Sequence, residues 1–130
     1  MNIPWYICEG PFDSMFLDNC VAVCGSSIST ELKEFHTGLD KVTIIFDNEP
    51  RNSDIVSSMQ KIINQGLKIF IWPDYIRDKD LNDLFLTILH DEHRSNCSIE
   101  AVKTYIKNII SDNTYSNLSA ELVFTQWKKV

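Results

Sequence analysis

The sequence predicts an α/β fold, a mainly parallel four-stranded sheet with helices on both faces. Two observations support this prediction. Short apolar runs of strand length alternate with segments whose apolar residues recur at helical spacing, in the order βαβαβαβα. Such alternation favours a parallel sheet, because each crossover helix covers one of its faces. With 130 residues, the chain is expected to form a single domain over 1–130.

In the first half of the chain, two apolar runs predict strands at 5–8 (WYIC) and 21–25 (VAVCG). The segment between them, 11–17, begins with proline. Proline suits the first position of a short helix, where its missing N–H is not needed. Apolar residues at helical spacing then predict a helix over 28–39.

The second half repeats the alternation. Strands are predicted at 41–46 (KVTIIF) and 67–72 (LKIFIW), where β-branched and aromatic residues are frequent. A helical stripe at 55–63 separates them, and further stripes at 81–89 and 99–110 follow. Two more helices are therefore expected after the fourth strand.

The chain end is less regular. Ser98 is expected to cap the helix that follows it, since a serine hydroxyl accepts from the first-turn N–H groups. In the tail, 112–130, Leu122 and Phe124 alternate with polar residues as in a strand. The tail is therefore expected to be strand-like, although its class is the least defined.

Composition limits the possible functions. The net charge is −6, and an acidic chain binds nucleic acid poorly by itself because phosphate contacts need Lys and Arg. The same charge suits a protein that gathers carboxylates around divalent cations. No apolar run approaches the roughly 20 residues that span a bilayer, and we see no signal peptide. We therefore expect a cytoplasmic protein without a membrane partner.

Three acids follow predicted strands. Glu9 ends the first strand, Asp47 ends the third, and Glu49 lies in the same loop as Asp47. The carboxyl ends of parallel strands lie at one sheet edge, where ligands bind in such folds. Converging carboxylates repel each other unless a cation holds them, which predicts a site for Mg²⁺. Ordinary loop acids and helix N-caps would explain the spacing equally well.

Several motifs, taken in order, resemble the Toprim domain. This domain occurs in bacterial-type primases, topoisomerases and several nucleases. The strand ending in Glu-Gly and the later acid-x-acid pair resemble its two main motifs. The whole set looks most like the catalytic domain of primases from large tailed phages. The matching segments are ICEGPFDSMFLDNCVAVCGSS (7–27), IIFDNEPRN (44–52), IWPD (71–74), KDLND (79–83) and FTQWKKV (124–130).

The resemblance implies roles for the three acids. Glu9 matches the family's glutamate, which is a metal ligand or a general acid/base. Asp47 matches the first aspartate of the D-x-D motif and would bind Mg²⁺ or Mn²⁺. Glu49 takes the second position, where the family usually has Asp. Its longer side chain would shift a second metal or bind it through water.

Four further residues are candidates. Asp80 and Asp83 suit a neighbouring metal or phosphate role, or equally an N-cap and a first-turn acid. Arg51 suits a phosphate clamp, or equally an ion pair with Glu49 or Asp54. Lys79 is a candidate phosphate contact, although a solvated surface lysine is the simpler interpretation.

The resemblance implies a DNA primase module, a magnesium-dependent nucleotidyltransferase that makes RNA primers in phage DNA replication within the host cytoplasm. Its partners would be nucleoside triphosphates and a single-stranded DNA template, held weakly by this acidic chain alone. The sequence shows neither a zinc ribbon nor a basic ridge. A replicative helicase or a zinc-ribbon subunit is therefore an expected partner. The alternatives are a metal-dependent nuclease and a non-catalytic module that docks on a replication partner.

Overall fold

A five-stranded, mostly parallel sheet forms the centre of the described part of the chain. The structure is a computed structural model and describes residues 5–8, 17, 19–22, 41–91 and 98–130. The strand order is β2-β1-β3-β4-β5, and β5 alone runs antiparallel to its neighbour. The strands are β1 (Trp5–Cys8), β2 (Cys20–Ala22), β3 (Val42–Ile45), β4 (Lys68–Phe70) and β5 (Thr114–Tyr115).

The predicted α/β class is confirmed, but the sheet has one strand more than predicted. The fifth strand, β5, follows directly on the turn at Asn113. That turn is held by the bond from the Ile71 N–H to the Asn113 carbonyl oxygen, at 3.1 Å. The Thr114 hydroxyl donates to the Ile110 carbonyl, at 2.6 Å. A strand of two residues is too short to produce a periodic pattern in the sequence.

Four helices occur among the described residues. They are α1 (Ser53–Asn64), α2 (Leu81–Leu89), α3 (Ile99–Asp112) and α4 (Asn117–Trp127). The predicted cap at Ser98 is confirmed, because its hydroxyl oxygen accepts from the Ala101 N–H at 3.1 Å. No helix in this part of the chain is both long and apolar enough to cross a membrane.

The strand-like prediction for the tail is wrong, because residues 117–127 form helix α4. Its buried side chains are Ala120, Phe124 and Trp127, spaced by four and three residues as on one helical face. Leu122, which suggested the alternation, is 62 % exposed. The pair Leu122 and Phe124 therefore lies on two different faces of a helix.

The middle of the sheet is fully buried at β3. All four residues of β3 are buried, so both faces of the sheet are covered there. Helix α1 packs against β4 and α4, and α2 packs against α3. The helices predicted at 11–17 and 28–39 lie outside the described residues, apart from the buried Leu17.

Candidate functional site

The candidate site begins where β1 and β3 leave the sheet. These strands are parallel, and Cys8 lies in register with Ile45. Both strands therefore end at the same sheet edge, as the sequence predicted. Asp47 follows β3 closely and is half-buried, as is Glu49. Glu9, the residue after Cys8, lies outside the described residues.

The acid loop, residues 47–49, is a tight turn that leads into α1. The Glu49 N–H donates to the Asp47 carbonyl at 2.9 Å, and the Asn52 N–H donates to the Glu49 carbonyl at 3.1 Å. Asn52 then caps α1, because its side-chain oxygen accepts from two first-turn N–H groups. The acids are thereby held beside the positive end of a helix dipole, which favours negative charge.

Asn48 joins this loop to two distant segments. Its backbone N–H donates to the Lys79 carbonyl at 2.6 Å. Its side-chain amide donates to the carbonyls of Ile76 and Asp78, at 3.1 and 3.0 Å. Its side-chain oxygen accepts from the Trp127 indole N–H at 3.0 Å. No role was assigned to Asn48 from the sequence, although its side-chain amide offers both donors and an acceptor.

The strand end itself is fixed by a tryptophan. The Trp72 indole N–H donates to the Phe46 carbonyl at 2.8 Å, and Trp72 is buried. Phe46 immediately precedes Asp47, so this bond defines the backbone from which the acid loop starts. Trp72 follows β4, and the contact therefore connects the ends of two neighbouring strands.

Lys79 lies beside one of the candidate metal ligands. Its ammonium nitrogen is 3.8 Å from Oε1 of Glu49, and the two side chains are 59 % and 32 % exposed. The second carboxylate oxygen, Oε2, is 3.5 Å from the Asn52 amide. An exposed pair of this kind contributes little to stability, typically about 0–1 kcal/mol. It does show that the Glu49 carboxylate is reached by a positive group.

Asp80 has a structural role. Its side chain accepts from the Asp83 N–H at 2.8 Å and caps α2, as one of the two sequence-based interpretations held. Asp83 is an exposed acid in the first turn of that helix. Neither residue joins Asp47 and Glu49 in a larger acidic group. Within the described ranges, no three or more His, Cys, Asp or Glu side chains come together in a way that suits a metal ion.

Arg51 follows the acid loop closely, at an exposed position. Among the described residues, Arg51 forms no ion pair with Glu49 or with Asp54. Arg51 instead lines an open cleft together with Glu49, Arg77 and Lys129. Sequence reasoning missed Arg77 and Lys129, which carried no motif of their own.

Fold and site together define an α/β protein with an acid loop at the carboxyl edge of its parallel strands. Over 126 residues, the chain is 28 % identical to the DNA primase of Enterobacteria phage T4. The match covers 96 % of this chain and 33 % of that protein, so the chain spans about a third of the relative's length. No family model matches the chain. The similarity supports a primase-related relationship.

Proposed function

We propose that the chain is a Toprim-like catalytic module of a DNA primase, which transfers nucleotides to make RNA primers in phage DNA replication. The acid loop after β3 carries this proposal. It lies at the sheet edge where ligands bind in parallel α/β folds. The similarity to a phage primase, over almost the whole chain, supports the same reading. Such a module would work in the cytoplasm of the host cell.

The donor chemistry of the acid loop suits Mg²⁺ or Mn²⁺. Asp47 and Glu49 offer carboxylate oxygens, the ligands that hard cations prefer, and Glu9 is the proposed third ligand. The Lys79 ammonium, 3.8 Å from Oε1 of Glu49, already places a positive group beside this carboxylate, which supports the proposal. Bound cations of this kind stabilise the attacking and leaving oxygens in phosphoryl transfer. The longer side chain of Glu49 would shift a second cation or bind it through water.

The chain's own cations are proposed to hold the nucleotide. Arg51 lies next to the acid loop and offers a planar pair of donors to phosphate oxygens. Lys79 is assigned a phosphate contact once a cation takes its place at Glu49. With a net charge of −6, the chain is expected to hold a single-stranded template weakly. A zinc-ribbon subunit or a replicative helicase would supply the missing template contacts.

Incorporation of labelled nucleoside triphosphates on a single-stranded template tests the proposal. The reaction contains Mg²⁺ or Mn²⁺ and a subunit with a zinc ribbon and a basic surface. Primer synthesis should appear with wild-type protein and fall strongly in Asp47→Asn and Glu9→Gln. Asp112→Asn makes the same kind of change at an exposed helix end and should leave synthesis intact.

A plasmid-nicking assay run beside it separates the alternatives. Nicking that depends on Asp47, without primer synthesis even after the subunit is added, would replace the primase with a nuclease. Inactivity in both assays would favour a module that docks on a replication partner. The acidic charge of the chain favours this last alternative, because an acidic chain binds nucleic acid poorly by itself.

A further inference from the structure

An open cleft with a positive lining lies beside the acid loop. Its volume is about 680 Å³. Three of its six lining residues are cationic, although the chain as a whole carries a charge of −6. We call it the basic cleft, lined by Glu49, Pro50, Arg51, Asn52, Arg77 and Lys129.

The cations of the basic cleft are not neutralised by the residues around them. Arg51 and Arg77 are exposed, and neither guanidinium has a hydrogen bond or an ion pair within the ranges that the structure describes. The Lys129 ammonium donates to the Gln126 carbonyl, at 3.3 Å, which leaves its charge uncompensated. The lining carboxylate, Glu49, faces Lys79 instead. The cleft therefore favours an anion.

The three cations come from three separate segments that are held in fixed positions. The Lys129 N–H donates to the Pro50 carbonyl at 2.8 Å, which joins the chain end to the acid loop. Asn48 holds the carbonyls on both sides of Arg77 through its side-chain amide. The backbone around each cation is thus ordered before any ligand arrives, which lowers the entropic cost of binding.

The space for a ligand continues beyond the basic cleft. A second cavity, of about 500 Å³, shares Pro50, Arg77 and Lys129 with it and extends toward Trp72 and Pro73. Arg77 and Lys129 line both spaces, Arg51 lines the basic cleft alone, and Asp74 lines the second cavity. One compact anion would not occupy both spaces, whereas a chain of phosphate groups would extend through them.

We propose that the basic cleft binds consecutive phosphate groups of a nucleotide ligand through Arg51, Arg77 and Lys129. The assignment of a nucleotide rests on the proposed function, and the preference for phosphate rests on the cleft itself. Guanidinium groups bind phosphate oxygens in pairs, and an ammonium adds a point charge. The phosphates have two possible sources, the triphosphate of a free nucleotide and the backbone of a single strand.

Calorimetric binding to the full chain, in buffer freed of divalent cations on a chelating resin, tests this site. The probes are inorganic tripolyphosphate, ATP and a short oligo(dT). Arg77→Gln and Lys129→Gln should each weaken binding by roughly three- to tenfold, because each removes a charge-assisted contact. Lys61→Gln also removes one positive charge, but about 12 Å along the axis of α1 from its first residue, Ser53. This control should leave the binding affinity unchanged. All three positions are exposed, and a thermal melt of each variant verifies its fold.

The probes identify the source of the phosphates. Tighter binding of tripolyphosphate and ATP than of oligo(dT) assigns the cleft to the triphosphate. The reverse order assigns it to a strand. In that case the slope of the logarithm of the binding constant against the logarithm of the salt concentration should become shallower by about 0.7 for each cation removed.

Two results would overturn the proposal. One is that no probe binds the wild type, and the other is that both cleft variants bind as well as Lys61→Gln. The proposed function fails separately, if primer synthesis survives Asp47→Asn. The binding assay contains no metal, so each idea can fail without the other.

Discussion

The indole N–H of Trp127 donates to the side-chain oxygen of Asn48 at 3.0 Å, across 79 positions of sequence. This bond joins the last residue of α4 to the centre of the acid loop. The same Asn48 side chain donates to the carbonyls of Ile76 and Asp78. The position of Asp47 and Glu49 therefore depends on two segments far from them in the sequence.

Replacing Asn48 should destabilise the protein. Asn48→Ala leaves the Ile76 and Asp78 carbonyls and the Trp127 indole without their partners in a half-buried place. Each lost partner costs about 1 kcal/mol, so a loss of roughly 2–4 kcal/mol is expected. Urea unfolding measures it. Asn108→Ala makes the same change at an exposed position of α3 and should be neutral or slightly stabilising. Equal effects of the two variants would contradict the role of Asn48.

A double-mutant cycle isolates the Asn48–Trp127 bond. Trp127→Phe removes the indole N–H and keeps an aromatic ring in the buried place beside Phe124. Combined with Asn48→Ala, it should show a coupling energy of about 0.5–2 kcal/mol, because both changes remove one hydrogen bond. Additive effects would mean that the two residues act independently. Unfolding of the wild type, both single variants and the double variant gives the four values.

The parts of the fold that the sequence predicted are those with local signals. The mostly apolar runs around Ile44 and Ile69 predicted β3 and β4, because a strand covered on both faces is rich in apolar residues. The cap at Ser98 was also predicted from a local signal, because a cap and its helix are neighbours in the chain.

The parts that it missed depend on tertiary contacts. Helix α4 was read as strand-like because the pair Leu122 and Phe124 imitates alternation, and only packing shows that Phe124 is buried and Leu122 is not. The basic cleft was missed because Arg77 and Lys129 meet only in the folded chain. Of the site, the acid loop was placed correctly at the sheet edge. Its union with Glu9 remains a prediction.

Asp80 allows its two interpretations to be separated. Asn is as good an N-cap as Asp, so Asp80→Asn should change stability by less than about 0.5 kcal/mol. Asp80→Ala removes the bond to the Asp83 N–H and should cost about 1 kcal/mol. Urea unfolding compares the two variants. If Asp80→Asn also keeps the full thermal shift produced by Mg²⁺, Asp80 is a cap alone. A smaller shift would assign it to the metal.

Lys79 should compete with a bound cation. Its ammonium is 3.8 Å from Glu49, so Lys79→Gln removes a positive group from the proposed site. The Kd for Mn²⁺ should fall by roughly two- to fivefold, as expected for an exposed ion pair of up to about 1 kcal/mol. Isothermal titration measures this, with Lys61→Gln as the control at a distant exposed lysine. Weaker Mn²⁺ binding in Lys79→Gln would refute the competition.

The metal site itself makes the most direct prediction. A cation that binds only the folded chain stabilises it by about 2.7 kcal/mol when its concentration is about a hundredfold above its Kd. For a chain of this size, that corresponds to a rise in Tm on the order of 10 °C. Mg²⁺ or Mn²⁺ should therefore raise the Tm of the wild type in a concentration-dependent way. Asp47→Asn should remove most of the rise, because it replaces a charged ligand on the acid loop with a neutral amide.

The size of the rise in each variant shows which acids bind the cation. Glu9→Gln should reduce it as Asp47→Asn does, since both residues follow strands that end in register at Cys8 and Ile45. Asp112→Asn makes the same change at the exposed C-terminal end of α3, outside the acid loop, and should keep the full rise. A wild-type Tm that does not respond to either metal would remove the metal site. A full response in Asp47→Asn would move it elsewhere in the chain, because the acid loop would then contribute no ligand.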